Sequence, residues 1–343
     1  MYIHQYTCIS PQQKDENVNL EHIVPSQDGK YLAQEPVLQG VPPGMVRRMS
    51  KSVRIGIGAG LPLIKDNKPN GIIIGTANGG MEDCIKFLNQ IIDFEEGLLT
   101  PGSFVQGTPN AIAGQLSLIT KNQNYNATHV HNGLSFENAL LDAFMLIKDN
   151  PQTSYLLGGV DEISSYNYNI ETLGGWYDTR LTNENLYMAQ LPATIAGEGA
   201  TMFMVSGVPH NAVARVSAIE FFHATDATYV QQRVADFLKQ HDVALNETIF
   251  ISGENGDVRA LPFYEHCEAI LDTSIPIIRF KHIVGEYPTA IAYGLWLACH
   301  MLQTQQPLPT HFYKRKGTDI PIKNFLLYNH YHGKQHSLML VTG

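Results

Sequence analysis

The stretch from Val130 to Ser135 contains side chains whose types and spacing could support nucleophilic chemistry. It reads VHNGLS and joins a predicted strand directly to a predicted helix. A turn of this kind presents one residue at the positive end of a helix and offers backbone N–H groups to an anion, and enzymes place nucleophiles there. One interpretation makes Ser135 the nucleophile and His131 its base. The other makes Ser135 the N-cap of the helix, the commoner role of a serine at that position.

Histidines form a second group of chemically capable residues. His129 and His131 are predicted to share one face of a strand, and His330, His332 and His336 cluster near the C-terminus. Imidazoles in such groups can bind zinc. The four cysteines show no CxxC spacing, so neither a thiolate zinc site nor a disulfide framework is indicated. The simpler interpretation is that the protein has no metal site and no cofactor.

The elements that must position these residues follow from the hydrophobic pattern. Short apolar runs alternate with longer amphipathic stretches, which predicts an α/β fold with buried sheets. In the first part of the chain we predict strands at Gly71–Gly75, Ala127–His131, Tyr155–Val160 and Thr201–Val205. Predicted helices lie at Met81–Ile92, Asn110–Ile119 and Ser135–Lys148. The aromatic residues Tyr125, Phe136 and Phe144 are predicted to belong to the core.

A break at Ser206–Pro209 precedes a second set of similar elements. Strands are predicted at Ala212–Ile219, Thr248–Ser252, Ile275–Phe280, Phe325–Tyr328 and Leu338–Val341, and helices at Tyr229–His241, Leu261–Leu271 and Thr289–Leu302. We therefore predict two related α/β halves, residues 1–206 and 207–343. Residues up to about Pro69 are expected to be less regular.

Composition excludes several classes of protein. The chain has 343 residues, 44% of them hydrophobic and only 16% charged, which favours extensive burial, for example against another subunit. The net charge of −9 and the absence of basic runs argue against nucleic acid as a partner. The N-terminal residues show no secretion signal, and the apolar helix candidate Ala290–Leu302 is shorter than the ~20 residues of a membrane span. We expect no membrane association and a cytoplasmic location.

Six segments in the same order resemble the β-ketoacyl synthases of the thiolase superfamily. They are GTANGGME (Gly75–Glu82), LLTPGSFVQGTPNAIAGQLSLI (Leu98–Ile119), YLLGGVDEIS (Tyr155–Ser164), GEGA (Gly197–Ala200), Lys281 with Gly285 in the place of a KxxxGH element, and Asn329 at the start of the final loop. One such match is weak, whereas six in the family's order are specific.

The resemblance implies a thiolase-like fold. Two βαβαβ halves would pack in a layered α/β/α/β/α arrangement. Family members dimerise by pairing the strand that precedes the elbow, and the segment equivalent to Leu98–Ile119 reaches toward the partner's pocket. The resemblance also implies a catalytic cysteine at the elbow and two histidines that assist decarboxylation and hold the new carbonyl oxygen.

The chain departs from the family at these catalytic positions. Counting back from Asp142 puts Gly133 in the nucleophile's place, whereas counting forward from Asn124 puts His131 there, and neither can form a thioester. The two histidine positions correspond to Glu254 and Glu286. The family's GFGG-type gate loop is replaced by the segment His330–Gln335, which reads HYHGKQ.

The glutamates disfavour decarboxylative condensation. An ionised carboxylate about 4 Å from a developing enolate would repel it by roughly 4 kcal/mol at an effective dielectric constant of about 20, which is about three powers of ten in rate. If burial leaves one glutamate protonated and Lys281 stabilises the other, so that the pair shares a proton, this argument weakens. Loss of the thiol has no such remedy.

We therefore predict a β-ketoacyl-(acyl carrier protein) synthase-like protein of fatty acid or polyketide biosynthesis that no longer condenses. As the resemblance implies, it would act as a chain-length-factor-like subunit, and its partners would be an acyl carrier protein and an active ketosynthase. Such pairs occur in type II polyketide and aryl-polyene pigment assembly. The predicted substrate-binding residues are Asn132, Ser135, Phe104, Asn110, Asn329 and His332. Glu254, Glu286 and Lys281 are predicted to form a polar cluster in the former active site. Arg47, Arg48 and Lys51 could attract an acidic carrier or simply solvate a helix.

Two alternatives remain. In the first, the chain is an active 3-oxoacyl synthase or acyltransferase with an unorthodox site, in which His131 or Ser135 accepts the acyl group and Glu254 or Glu286 acts as acid or base. In the second, it is a homodimer that binds an acyl chain in the former active site.

Overall fold

The computed structural model describes residues 1–14, 17–65 and 67–343. Its strands are β1 (Tyr2–Ile9), β2 (Gln13–Lys14), β3 (Asn17–Val18), β4 (Lys30–Tyr31), β5 (Gly71–Gly75), β6 (Tyr125–His129), β7 (Ser154–Asp161), β8 (Ala196–Gly197), β9 (Gly199–Ser206), β10 (Ala214–His223), β11 (Thr248–Ser252), β12 (Ile277–Arg279), β13 (Tyr313–Arg315), β14 (Asn324–Tyr331) and β15 (Gln335–Thr342). Its α-helices are α1 (Pro43–Val46), α2 (Lys51–Ile64), α3 (Met81–Asp93), α4 (Pro101–Gln106), α5 (Ala111–Thr120), α6 (Ser135–Asp149), α7 (Ser165–Leu173), α8 (Ala227–Gln240), α9 (Leu261–Ala269), α10 (Lys281–Val284) and α11 (Ile291–Thr304). Short 3₁₀ helices span Asn132–Leu134, Leu245–Glu247 and Thr310–Phe312.

The sheet repeats one topology twice. Among the described residues, eleven strands follow the order β13-β12-β11-β14-β15-β10-β1-β9-β7-β5-β6. The halves β1-β9-β7-β5-β6 and β10-β15-β14-β11-β12 have the same sequence of two antiparallel and two parallel pairings. The halves join where Tyr2 and Ile3 pair with Arg215 and Ala214. The duplicated topology predicted from the sequence is therefore confirmed, whereas the domain boundary at residue 206 stays a prediction.

Helices separate the half-sheets and cover their outer faces. Helices α6 and α11 pack in the central core with strands of both halves. Helices α2 and α5 cover the outer face of the N-terminal half, and α8 and α9 cover that of the C-terminal half. Helix α11 is apolar around its circumference because it has protein on all sides. This is the predicted α/β/α/β/α layering.

Most predicted elements lie within two residues of the observed bounds. The strands Gly71–Gly75 and Thr248–Ser252 are reproduced without change. Both read as continuous apolar runs because parallel strands covered on both faces have no solvent side. No helix among the described residues is long and apolar enough to cross a membrane.

The prediction that residues up to about Pro69 are less regular is wrong for two segments. Before Pro69 lie β1, which is central in the sheet, and α2, a buried helix of 14 residues with Ser50 as its N-cap. The glycines and Pro62 in α2 lower its helix propensity, but close packing favours the glycines, since a Cβ at Gly56 would lie 2.7 Å from Ile112 Cγ2. Tyr125 was predicted as core and is instead exposed, because β6 is an edge strand.

Asp161, at the end of β7, links the N-terminal half of the fold to the C-terminal half through hydrogen bonds. Its Oδ1 accepts hydrogen bonds from the backbone N–H groups of Ala77 and Asn78 at 2.9 and 2.8 Å. Its Oδ2 accepts bonds from the N–H and hydroxyl of Thr289, just before α11, at 3.1 and 2.9 Å. Burial raises the pKa of this carboxyl to about 6, and the hydrogen bonds oppose that shift.

We expect Asp161→Ala to lower the free energy of unfolding by at least about 3 kcal/mol, because several buried donors would lose their acceptor. Urea unfolding followed by circular dichroism measures this. The matched control is Asp149→Ala at an exposed position of α6, which should change stability by less than about 0.5 kcal/mol. Equal effects of the two variants would contradict a connecting role for Asp161.

Candidate functional site

The elbow between β6 and α6 is tighter than the sequence pattern suggested. Strand β6 ends at His129, and the 3₁₀ turn Asn132–Leu134 leads into α6. Asn132 has φ +47°, a left-handed conformation that asparagine tolerates better than most residues. His131 therefore lies outside the strand, and the predicted common face with His129 does not exist.

Ser135 and His131 do not form a nucleophile and base pair. Ser135 is the first residue of α6 rather than its N-cap, so the predicted capping role is wrong. Its hydroxyl donates to the carbonyl of Asn132 and accepts from the backbone N–H of His131, both at 2.8 Å. The exposed His131 ring instead has its Nδ1 3.1 Å from Asn138 Nδ2. The Ser135 hydroxyl is thus used to hold the turn.

Gly133 lies directly beneath Tyr331. A Cβ added at Gly133 would lie 2.0 Å from Tyr331 Cβ, so any side chain there requires Tyr331 to move. The N–H of Gly133 donates to Gln335 Oε1 at 2.9 Å. The elbow N–H group that could polarise a substrate carbonyl is therefore already bonded within the protein.

Lys281, Glu286 and Asn329 form a buried cluster. Lys281 Nζ donates to both carboxylate oxygens of Glu286, at 2.9 and 2.7 Å, and to Asn329 Oδ1 at 2.8 Å. Asn255 Nδ2 donates to Glu286 Oε2 at 2.7 Å. Burial lowers the pKa of Lys281 and raises that of Glu286, and their mutual attraction opposes both shifts. Three predicted site residues thus come together here.

Glu254 belongs to a different set of charges. Its Oε1 accepts from Arg279 at 2.9 Å, and its Oε2 accepts from Lys314 at 2.6 Å. Lys314 also pairs with Glu268 at 2.8 Å. The cluster predicted from Glu254, Glu286 and Lys281 therefore contains only the last two, with Asn329 and Asn255 beside them.

Two cavities flank this region. The first, here called the elbow cavity, has a volume of about 160 Å³. Its lining includes Asn132, Glu162, Tyr168, Glu171, Tyr287 and Tyr331. The second, here called the inner cavity, has a volume of about 250 Å³. Its lining includes Trp176, Asn255, Arg259, Phe263, Glu286 and His330.

A stack of planar groups lies where the two cavities meet. The His332 ring, which lines both, is 3.8 Å from the Trp176 ring and nearly parallel to it. Tyr331 stacks on the other side at 4.0 Å, and the guanidinium of Arg259 lies 4.1 Å from the Trp176 ring centroid. His332 has φ +52°, which its aromatic contacts compensate. His332 is therefore a wall residue of both cavities.

The remaining predicted residues lie elsewhere. Phe104 on α4 is 60% exposed and packs on Phe87. Asn110 precedes α5, and its Oδ1 accepts from the Thr128 hydroxyl at 2.8 Å. Neither residue lines the elbow or inner cavity. Within the part of the chain that the structure describes, no three histidine, cysteine, aspartate or glutamate side chains are placed to hold a metal ion.

Glu137 is a buried carboxylic acid that the sequence did not single out. It lies in the first turn of α6, fully buried, and neither carboxyl oxygen has a hydrogen-bond partner of normal geometry among the described residues. Burial raises its pKa to about 7, against the weaker opposing effects of the Ser337 hydroxyl and the charge of Lys281. Glu137 therefore holds a proton across the acidic range.

Sequence reasoning also missed Tyr331, Gln335, Asn255 and Trp176 as site residues. Gln335 lies 202 residues from its partner Gly133 in the chain, and Asn255 lies 31 residues from its partner Glu286 although it neighbours Glu254 in sequence. No local pattern marks a tyrosine as the residue above a glycine of another element. Only the duplicated fold brings the β14–β15 turn onto the elbow.

A duplicated, layered sheet with an elbow after an edge strand defines the thiolase-like class. A β-ketoacyl synthase from Burkholderia phymatum STM815 matches with a TM-score of 0.76 over 99% of this chain and 98% of that chain, at 16% identity. A ketosynthase in complex with its chain length factor from Xenorhabdus doucetiae matches with a TM-score of 0.75 over 99% and 97%, at 14% identity. A type II PKS acyl-carrier protein in complex with its ketosynthase matches with a TM-score of 0.69 over 100% of this chain and 99% of that chain, at 13% identity.

Residues 24–172 match the family model described as beta-ketoacyl synthase, N-terminal domain. No curated protein matches the sequence. The family match and the shared fold together confirm the resemblance of this chain to the β-ketoacyl synthase family.

We expect Gly133→Ala to destabilise the protein by about 2 kcal/mol, because the new methyl group overlaps Tyr331. The same substitution in a Tyr331→Ala background should cost markedly less, and urea unfolding of the four proteins gives the coupling energy. As a control, Gly114→Ala adds a methyl group with only Asn110 Nδ2 within 4 Å and should be neutral or stabilising. Additive effects of the Gly133 and Tyr331 changes would contradict the contact.

We expect Glu137→Gln to remove a loss of stability that sets in as the pH rises. The folded protein keeps the Glu137 proton up to about pH 7, whereas the unfolded chain releases it near pH 4.5, so stability falls between these values. The difference in free energy of unfolding between the variant and the native protein should therefore be about 2 kcal/mol more favourable to the variant at pH 8 than at pH 5. Urea unfolding at both pH values tests this, with the exposed Glu184→Gln as control. A gain that does not change with pH would contradict it.

Proposed function

We propose that this chain is a non-condensing, chain-length-factor-like subunit that works with an active β-ketoacyl synthase and an acyl carrier protein. The observation that carries the proposal is the contact between Gly133 and Tyr331 at the elbow. It favours Gly133, rather than the exposed His131, as the counterpart of the family's nucleophile. A residue without a side chain, covered by a tyrosine, cannot accept an acyl group.

The two glutamates give independent support. Glu254 is bound by Arg279 and Lys314, and Glu286 is bound by Lys281 and Asn255. Each carboxylate is thus held by ion pairs and hydrogen bonds that it would have to break in order to transfer a proton. Charges fixed in this way suit a structural centre better than decarboxylation.

The edge of the sheet at β6 supports a partner subunit. Within the described residues, β6 pairs only with β5, and apolar side chains around it are exposed. These are Leu118 on α5, Val130 after β6, and Leu141 and Met145 on α6. A second subunit that extends the sheet would cover them.

A basic groove supports an acyl carrier protein as the further partner. An open depression of about 500 Å³ has more basic than acidic residues in its lining, which are Arg47, Arg48, Lys51, Arg54 and Lys86 against Glu82, Asp83 and Glu162. Lys51 pairs with Glu198, and Arg54 pairs with Glu35, whereas the side chains of Arg47 and Arg48 are exposed. Exposed arginines beside a groove can attract an acidic protein.

Neither alternative function has comparable support. The Ser135 hydroxyl is bonded to the backbone on both sides, which disfavours an unorthodox nucleophile. The elbow cavity is small and contains carboxyl groups, which disfavours storage of an acyl chain within one subunit.

The test is co-expression with cysteine-containing ketosynthases of the same organism, followed by size-exclusion chromatography with light scattering and intact mass after incubation with acyl carrier protein substrates. We expect a one-to-one heterodimer with the acyl group on the ketosynthase only, and no condensation by this chain alone. An acyl adduct on this chain, or product formed by it alone, would overturn the proposal.

A surface variant tests the partner face. Val130→Asp puts a charge beside the end of β6 and should weaken the heterodimer at least tenfold, because a carboxylate would be buried in the interface. The matched control is Val37→Asp, an equally apolar and 88% exposed position. Equal association of both variants would exclude the β6 edge as the interface.

A further inference from the structure

Helix α3 exposes the apolar face that an amphipathic helix normally buries. Its apolar side chains recur at helical spacing, for example at Ile85, Leu88 and Ile92. No side chain of α3 is buried, however, and Leu88 and Ile92 are 52% and 76% exposed. The described residues therefore leave this face of the helix uncovered.

The exposed apolar surface continues through the loop and the helix that follow. Helices α3 and α4 form a hairpin, here called the α3–α4 hairpin (residues 81–106), in which the rings of Phe87 and Phe104 pack with centroids 5.3 Å apart. Six of the 17 exposed large apolar side chains among the described residues belong to it, namely Leu88, Ile92, Phe94, Leu98, Phe104 and Val105. Apolar surface concentrated in this way is typical of an interaction site.

The charges beside this apolar surface have one sign. Asp93, Glu95 and Glu96 are exposed at the end of α3 and in the loop after it. Residues 87–110 contain no lysine, arginine or histidine. Among the described residues, none of the three carboxylates takes part in an ion pair. A complementary surface would carry basic side chains around an apolar centre.

The acidic charge disfavours two other occupants of the hairpin. An acidic carrier protein would be repelled, because like charges would meet across the interface. A second copy of this chain would present the same patch in an isologous dimer, so the carboxylates would face a surface without free basic side chains. The nearest lysine in sequence, Lys86, already pairs with Glu82 at 3.7 Å. A different subunit is therefore the favoured occupant.

The hairpin leads directly to the sheet edge that the proposed ketosynthase partner would extend. Asn110, four residues after α4, accepts a hydrogen bond from the Thr128 hydroxyl of β6 at 2.8 Å. Helix α5 follows Asn110 and carries Leu118, one of the exposed apolar side chains around β6. One partner subunit can therefore cover the β6 edge and the hairpin together.

We propose that the α3–α4 hairpin docks a basic surface with an apolar centre on the partner ketosynthase, and that its carboxylates favour this heterodimer over self-association. The inference rests on the proposed function, because that function supplies the partner subunit. It adds the hairpin to the interface, and it gives a physical reason for the pairing of two different subunits.

Charge reversal tests the hairpin with the ketosynthase that pairs with the native chain in co-expression. The triple variant Asp93→Lys, Glu95→Lys and Glu96→Lys should raise the Kd of the heterodimer at least tenfold, because favourable charge pairs become repulsive. It should also remove the weakening of the native heterodimer that we expect on raising the salt concentration to about 0.5 M. Analytical ultracentrifugation measures each Kd.

Two controls match these changes. The triple variant Glu184→Lys, Asp236→Lys and Glu265→Lys alters the net charge equally at exposed positions outside the hairpin and should bind as the native chain does. The apolar centre is tested by Ile92→Ser, which should raise the Kd at least tenfold, against Val37→Ser at another exposed apolar position, which should not. Thermal unfolding verifies the fold of each variant.

Three results would overturn the inference. If the hairpin variants and their controls bind the ketosynthase equally well, the hairpin is not part of the interface, while the proposed function stands. If the native chain pairs with no ketosynthase of the organism, the proposed function and the assigned partner fail together. If the native chain forms a stable homodimer that Ile92→Ser weakens, the acidic face covers itself and does not select a different subunit.

Discussion

The packing of α6 and α11 between two half-sheets is the constraint on which the rest of the structure depends. Both helices bury apolar side chains in the central core, so neither can shift without opening that core. The start of α6 is thereby fixed against the β14–β15 turn. As a result Gly133 meets Tyr331, and the Gly133 N–H finds Gln335 as its acceptor.

The charged groups at the centre follow from the same confinement. Lys281 and Glu286 lie where water is excluded, and a buried ion pair has to be held by further hydrogen bonds if it is to be tolerated. Asn329 and Asn255 supply them. Glu254, only one residue from Asn255, turns instead toward Arg279 and Lys314. The centre is therefore arranged as a fixed electrostatic framework, which is consistent with the proposed loss of condensing chemistry.

The cavities bear on how such a subunit would influence chain length. At about 160 and 250 Å³, both are smaller than typical sites for drug-sized ligands, and His332 forms part of both walls. A long acyl chain would need space that these two cavities do not provide. In the proposed assembly that space would form against the partner subunit, near the exposed apolar side chains around β6.

The sequence by itself determined the α/β class, because the apolar runs of β5 and β11 and the amphipathic helices between them are local patterns. The layered arrangement followed only from the resemblance to the family. It also indicated the loss of the thiol, and it identified Lys281, Glu286 and Asn329 through the order of the family motifs. It missed β1 and α2 among the first 69 residues, because α2 is stabilised by packing that its glycines permit rather than by propensity. Only the tertiary structure decided that Tyr331 covers Gly133, that Glu254 leaves the cluster, and that Glu162 and Glu171 share a cavity. These contacts join residues far apart in the chain, and their energies depend on burial and distance, which no local pattern contains.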